Sequence, residues 1–150
     1  NGVRALITCT RRIQFCAGHR VMGHENKCAH LHGHNYVIEI TAEAPELDSC
    51  GRVIDFSVLK AAVGGWIETF WDHGFILCEQ DDDARLAVEP FMARNGTPQK
   101  VALMPTVPTA ENIADHLLRV VCPAVLLQSG VRVVRVVCHE TENCKAEASL

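Results

Sequence analysis

The stretch CAHLHGHNYVIEI, residues 28–40, constrains the fold more than any other part of the chain. Cys28, His30, His32 and His34 occupy alternate positions, and the alternation continues through Tyr36, Ile38 and Ile40. On a strand, residues two apart share a face. A strand over residues 33–43 therefore carries Tyr36, Ile38 and Ile40 on one side and Asn35, Val37 and Glu39 on the other. His32 and His34 then point together at its start, with Gly33 letting another backbone come close. Two imidazoles need a third ligand to hold a metal, and His19 closes the preceding segment FCAGH. A hairpin returning through residues 20–31 brings His19 opposite the pair. Three neutral imidazoles with one open position are the donor set of a catalytic zinc, whereas structural zinc is usually closed by four protein ligands. Zinc is expected ahead of iron or copper because nothing nearby suggests redox ligands.

Two loop histidines, His24 and His30, lie close in sequence and are expected to be solvated rather than to ligate. Cys28 has two readings. As a fourth ligand it closes the site. As a thiolate beside a cation, its pKa lowered, it is a base or nucleophile. Spacing does not separate the two.

The remainder of the chain reads as strands and helices in a simple order. Residues 3–19 are partly alternating and β-branched, which predicts a strand, followed by a polar loop over 20–31. PELDSCG is a turn and RVIDF a short extended piece. Residues 57–71 predict a helix capped by Ser57, with Leu59, Val63, Trp66, Ile67 and Phe70 as its apolar stripe and Gly64 and Gly65 weakening its middle. Residues 78–107 read as an irregular insertion whose DDD run is a solvated loop. A second helix is expected over 110–127, capped by Thr109 and kinked or ended by Pro123. VRVVRVVC is a strand, and CKAEASL a short final one. The order strand, strand, helix, helix, strand, strand predicts one α+β domain over residues 1–150: an antiparallel four-stranded sheet with two helices on one face.

Composition narrows the partners. The net charge of -4 comes without any Lys/Arg cluster, which speaks against nucleic acid. No apolar run approaches the ~20 residues that cross a membrane, and NGVRALITCT does not read as a signal peptide. The eight cysteines are scattered without a CxxC pair, several in apolar stretches, which points to free thiols in a reducing cytoplasm.

Three further groups suit proton transfer or ligand binding. Asp72 and His73 follow the first helix, and a His held by a carboxylate passes protons near pH 7. Glu140 follows an apolar strand. Thr109, Glu111 and Asn112 sit at a helix N-terminus, whose free amides suit an anionic or carbonyl-bearing ligand.

Taken together, FxAxH (Phe15, Ala17, His19), CxxLHGH (Cys28 to His34), GxVIDFxxLK (Gly51 to Lys60), DH at 72–73, PTxEN at 108–112 and ET at 140–141 resemble the 6-pyruvoyltetrahydropterin synthase family, in order and over nearly the whole chain. The chain departs from the family's DHxxLN in reading DHGFILCE. The resemblance implies the tunnelling fold (T-fold), assembled as a hexamer of two trimers with pockets between subunits, so that Glu140 and the zinc site of one pocket come from different subunits. By position it implies His19, His32 and His34 as zinc ligands and Cys28 as general base. Asp72 with His73 handles the second proton. Glu140 anchors a pterin ring, supported by Thr109, Glu111 and Asn112. The four-residue step from Cys28 to His32 resembles the bacterial 6-carboxytetrahydropterin synthases of the queuosine pathway. They turn 7,8-dihydroneopterin triphosphate into 6-carboxy-5,6,7,8-tetrahydropterin, acetaldehyde and triphosphate. The alternatives are 6-pyruvoyltetrahydropterin synthase proper, of tetrahydrobiopterin biosynthesis, and a non-catalytic zinc-stabilised binding module closed by Cys28.

Overall fold

The structure, a computed structural model, describes residues 5–150. Its spine is a hairpin of two twelve-residue strands, β1 (Thr8–His19) and β2 (His32–Glu43), paired antiparallel from Thr8↔Glu43 to His19↔His32. Residues 3 and 4 of the expected first strand lie outside the described residues. Ile13, Phe15 and Ala17 of β1 face the core with Tyr36, Ile38, Ile40 and Ala42 of β2. Each large apolar side chain so buried contributes about 1.5–3 kcal/mol. A one-residue slip would swing that whole set into solvent and bring Asn35 and Glu39 inward, so the apolar face locks the register.

The sheet has six mixed strands, not four antiparallel ones. After β3 (Gly74–Cys78), β4 (Val101–Met104), β5 (Arg132–His139) and β6 (Lys145–Ser149), the order across it is β4-β3-β1-β2-β5-β6. The four expected strands form its antiparallel part, β1-β2-β5-β6. The two additional strands run parallel to β1 and to each other. GFILC escaped the sequence reading because it is short and does not alternate. Its faces are covered on both sides, as parallel strands require.

Two helices lie on one face, as expected. The first, α1, runs over 56–70, with α-helical Phe56–Leu59 and Gly65–Phe70 flanking a π-turn at Lys60–Gly64. Its cap is Asp55 rather than Ser57: Asp55 Oδ1 accepts from both the Ser57 amide and the Ser57 hydroxyl. Its buried stripe is Leu59, Val63, Ile67 and Trp71, while Phe70 is half exposed. A strict spacing of four drifts off a helix of about 3.6 residues per turn, and the π-turn absorbs the drift. Residues 78–107, expected to be irregular, carry β4 and a helix, α2 (Asp82–Met92). Ile76 belongs to the main core while Leu77 packs with Ala84 and Val88, so α2 covers the opposite face of the sheet from α1. The last helix, α3, spans 110–125, again through a π-turn, Leu117–Val121, that comes just before Pro123. The missing amide of proline falls where the ladder has already shifted. Among the described residues, no helix is long and apolar enough to cross a membrane.

The DDD run is not a solvated loop. Asp81 is 2% exposed and caps α2 by accepting from the Ala84 amide. It also takes a bidentate pair from Arg20, at 2.5 and 2.6 Å. Arg20 in turn donates to the Ala29 carbonyl, one residue beyond Cys28. The pair thus ties the loop after β1 to the start of α2. The hydrogen bonds from Arg20 hold the Asp81 carboxyl below its ordinary value against the opposing effect of burial. A depressed carboxyl contributes stability that is complete above its unfolded pKa, about 3.9, and is lost as pH falls through the lower folded value. Asp81→Asn leaves Arg20 unpaired and should cost about 3 kcal/mol at pH 7, the low end for breaking a buried pair. In urea unfolding the gap between wild type and variant should narrow below about pH 4; a gap unchanged at acid pH would contradict this account.

Candidate active site

The β1/β2 register carries the three histidines onto the core face at the end of the hairpin. His19 pairs directly with His32, and Ala17 with His34. Gly18 and Gly33 pair between them, and a Cβ on Gly33 would stand 3.0 Å from the Ala17 carbonyl oxygen. The close backbone approach read from Gly33 is therefore present. His19 is fully buried, and His32 and His34 are partly so. Their ligating nitrogens lie within 4.8 Å of one another.

Hydrogen bonds decide what this cluster can hold. His19 Nδ1 lies 2.8 Å from the Pro108 carbonyl oxygen, and His32 Nδ1 lies 2.6 Å from that of His30. A carbonyl only accepts, so each Nδ1 carries the proton and each Nε2 presents a lone pair. Those two Nε2 atoms face each other at 3.2 Å. His34 Nε2 is buried without a hydrogen bond; Glu140 Oε1 lies 3.1 Å away, outside hydrogen-bonding geometry. Burial pushes both His19 and His34 below the ordinary imidazole value of 6.5, against the pull of Glu140. Protons are therefore a poor filling for the space between these lone pairs. A metal ion fits it, and carbonyl partners behind two ligands are the outer support that metal-bound histidines use. The buried triad can bind a metal.

Cys28 lies in a short 3-10 turn, Lys27–Ala29, whose Asn26 cap accepts from the Lys27 amide. The Cys28 carbonyl accepts from the Val21 amide, fixing the turn against the end of β1. Cys28 Sγ is not among the atoms gathered around His19, His32 and His34. His24 accepts from the Asn26 amide and His30 is exposed; neither joins the triad.

Glu140 was expected to meet the metal of another subunit. It stands instead beside His34 of its own chain. The turn after β5 puts it there: the Glu140 and Thr141 amides both donate to the Cys144 carbonyl and close the β5–β6 hairpin. Asp72 and His73 do not reach the triad. His73 takes a left-handed φ of 61° and donates its amide to the Cys16 carbonyl, while its Nδ1 lies 2.9 Å from Asp72 Oδ2. Burial disfavours the Asp72 carboxylate. The Cys16 amide, His73 and the charge of Lys100 outweigh it and keep the group below its ordinary value. Lys100 also donates to the Asp72 carbonyl. Thr109 caps α3 by accepting from the Asn112 amide, and Asn112 Nδ2 donates to the Val107 carbonyl; Glu111 is exposed.

Pro108 and Tyr36 escaped the sequence reading as site residues. The PT turn orients His19 through a backbone carbonyl, which leaves no trace in side-chain identity. Tyr36 packs edge-on against His19 and His34, and its hydroxyl is buried without a partner. Burial, then the charge of Glu140, raises its pKa, so it remains a donor. Its alternation with His32 and His34 was the available signal.

The sequence profile of the 6-pyruvoyl tetrahydropterin synthase family matches residues 8–149. The chain belongs to the 6-pyruvoyl tetrahydropterin synthase family. Its relatives include the 6-carboxy-5,6,7,8-tetrahydropterin synthase of Rickettsia typhi, 44% identical over 142 residues, 95% of this chain and 99% of that one. The enzyme of the same name from Aquifex aeolicus is 34% identical, with 92% and 94% covered. A crystal structure of an uncharacterised Wolinella succinogenes protein matches with a TM-score of 0.81 at 24% identity, covering 97% of this chain and 99% of that one. The 6-pyruvoyl tetrahydropterin synthase of Caenorhabditis elegans matches at 0.66 and 24% identity, over 97% and 96%. These likenesses place the fold with that family of pterin synthases.

His32→Ala should weaken metal binding by more than about 100-fold, beyond the 10–100-fold typical of losing an outer support. Elemental analysis after dialysis reads this directly, and near-stoichiometric metal in the variant would refute the triad. Because burial lowers His19 and His34, wild-type protein should keep its metal at pH 6.5, where a free imidazole is half protonated, and release it only in more acid buffer.

Proposed function

We propose that the chain is a zinc-dependent lyase that converts 7,8-dihydroneopterin triphosphate to 6-carboxy-5,6,7,8-tetrahydropterin, releasing acetaldehyde and triphosphate. The observation that carries this reading is the match at 44% identity across 95% of the chain to an enzyme of that name, together with a His triad whose lone pairs converge. Three imidazoles with an open position suit zinc. When bound, zinc supplies Lewis-acid polarisation of substrate oxygens and so acidifies the neighbouring C–H. Cys28 takes the proton from that carbon, and His73, oriented by Asp72, returns one. Glu140 accepts from the N–H groups of the pterin ring, with Thr109, Glu111 and Asn112 lining the approach. The separation of Cys28 from the triad supports a base and speaks against the module closed by a fourth ligand.

The chain acts as a homo-oligomer in this proposal, a hexamer of two trimers in the cytoplasm. Two features support assembly. β1 pairs with β3 only at Ala17 and Gly18, and the turn before β3 covers Cys16, so its edge over residues 8–15 is open to another strand, and β6 ends the sheet on the other side. Open edges are a liability unless paired, and joining unlike edges of successive copies closes a ring. Asp72 and His73 also stand apart from the triad of their own chain, with His73 78% exposed. The proton donor therefore comes from a neighbouring copy.

Mass spectrometry of the product is the deciding experiment: a carboxylate on the pterin ring supports this reading, and a retained three-carbon side chain gives the 6-pyruvoyl alternative. Cys28→Ala should keep its metal and lose at least about 100-fold in turnover, the lower range for a positioned proton-transfer group; loss of metal with activity would restore the closed-site reading. Mixing inactive Cys28→Ala with inactive His73→Ala under subunit exchange should restore part of the activity, since some hybrid pockets receive neither change. No recovery despite proven exchange would argue that each pocket is built from one chain.

A further inference from the structure

We propose that Cys16, Asp72 and His73 form a second metal site, separate from the His triad, that takes a thiophilic divalent cation of the zinc and cadmium class. Alternation places Cys16 on the face of β1 opposite Ala17 and His19, and its partners come from the turn between α1 and β3. One ligand atom from each of the three residues lies within 4.8 Å of the others. Asp72 Oδ1 is 3.9 Å from Cys16 Sγ, and Asp72 Oδ2 is 2.9 Å from His73 Nδ1. Tetrahedral ligands at zinc bond lengths stand about 3.5 Å apart, so small side-chain rotations close the set.

The backbone already holds these residues in place. The His73 amide donates to the Cys16 carbonyl at 2.7 Å, the Cys16 amide donates to Asp72 Oδ1 at 3.1 Å, and parallel pairing begins at Ala17↔Gly74. The donors are a thiol, an imidazole and a carboxylate, the mixed set that zinc and its congeners prefer. Binding displaces the Cys16 thiol proton to solvent and uses the lone pair of a neutral His73 ring nitrogen. Side-chain exposure of 78% at His73 and 28% at Asp72 leaves an entry path and room for water at the open positions. A bound cation also pins the His73 ring against its own chain. Resting on the proposed role of His73 in returning a proton, occupancy of this site then inhibits turnover.

The test starts from protein loaded with one equivalent of zinc and adds cadmium. Cadmium–thiolate charge-transfer absorption and native mass spectrometry follow binding, and turnover is measured in parallel. Wild type and Cys28→Ala should each take a second equivalent with the thiolate band. Cys16→Ser should lose the band and bind the second equivalent about 100-fold more weakly or worse. His73→Asn, which tolerates the left-handed backbone, should weaken it likewise and still keep the first equivalent. A wild type that holds one metal only, or a band that persists in Cys16→Ser, would overturn the site. Turnover of wild type should fall as the second equivalent binds, while that of Cys16→Ser should not respond to cadmium. Cadmium held at Cys16 with full turnover would leave the site standing and overturn the inhibition, and with it the placement of His73 in catalysis.

Discussion

Two imidazole lone pairs 3.2 Å apart inside a protein are unfavourable unless something positive lies between them. The rest of the structure can be understood as the means of holding them there. Neither ring can turn away, because each is fastened behind by a backbone carbonyl. His19 does not readily take a proton, because burial opposes the charge there, as it does at the neighbouring His34. The arrangement persists because the same face of the same two strands buries Phe15, Tyr36, Ile38 and Ile40. The register that those residues lock is the register that pairs His19 with His32. Metal preference and core packing are therefore two ends of one alternating pattern.

That pattern is also why so much of the site was legible. A period of two, carried without a break from His32 to Ile40, specifies a face; His19 at the end of the preceding apolar segment specifies the partner. The four antiparallel strands and the two helices on one face follow from the same kind of signal. GFILC and VALM were not legible as strands, since a short apolar run without alternation looks the same in a strand and a helix. The π-turns were hidden for a related reason. Leu59, Val63 and Ile67 belong to the expected stripe, but Trp71 does not: a strict spacing of four drifts off the face of a regular helix, which would bury Phe70 in its place. Pro108 orients His19 through a carbonyl that any residue could supply.

The segment over 78–107 shows how a region away from the His triad reaches the turn that carries Cys28. Its first helix turn is capped by Asp81, and Asp81 holds Arg20, which reaches the Ala29 carbonyl beside Cys28. In a short 3-10 turn with no buried side chain of its own, such an external tie limits where the thiol can move. A DDD run read as three equivalent solvated charges conceals this, because only the tertiary partner distinguishes Asp81 from Asp82 and Asp83. Changes at Asp81 therefore act on the position of Cys28 as well as on stability.

Glu140 and the Asp72–His73 pair illustrate opposite outcomes of the same rule. Both follow apolar segments and both carry a carboxylate, yet one lies beside the triad and the other does not. The difference lies in the sheet. β5 neighbours β2, so the end of β5 arrives next to the start of β2, where His34 is; the hairpin closed by Cys144 then turns Glu140 toward it. β3 neighbours β1 on the far side and joins it only at Ala17 and Gly18, so the turn before β3 delivers His73 to Cys16. A parallel strand added at that edge thus separates two carboxylate-bearing groups that the linear sequence does not distinguish. It leaves the His73 side chain exposed, its Nδ1 against Asp72 and its amide tied to the Cys16 carbonyl.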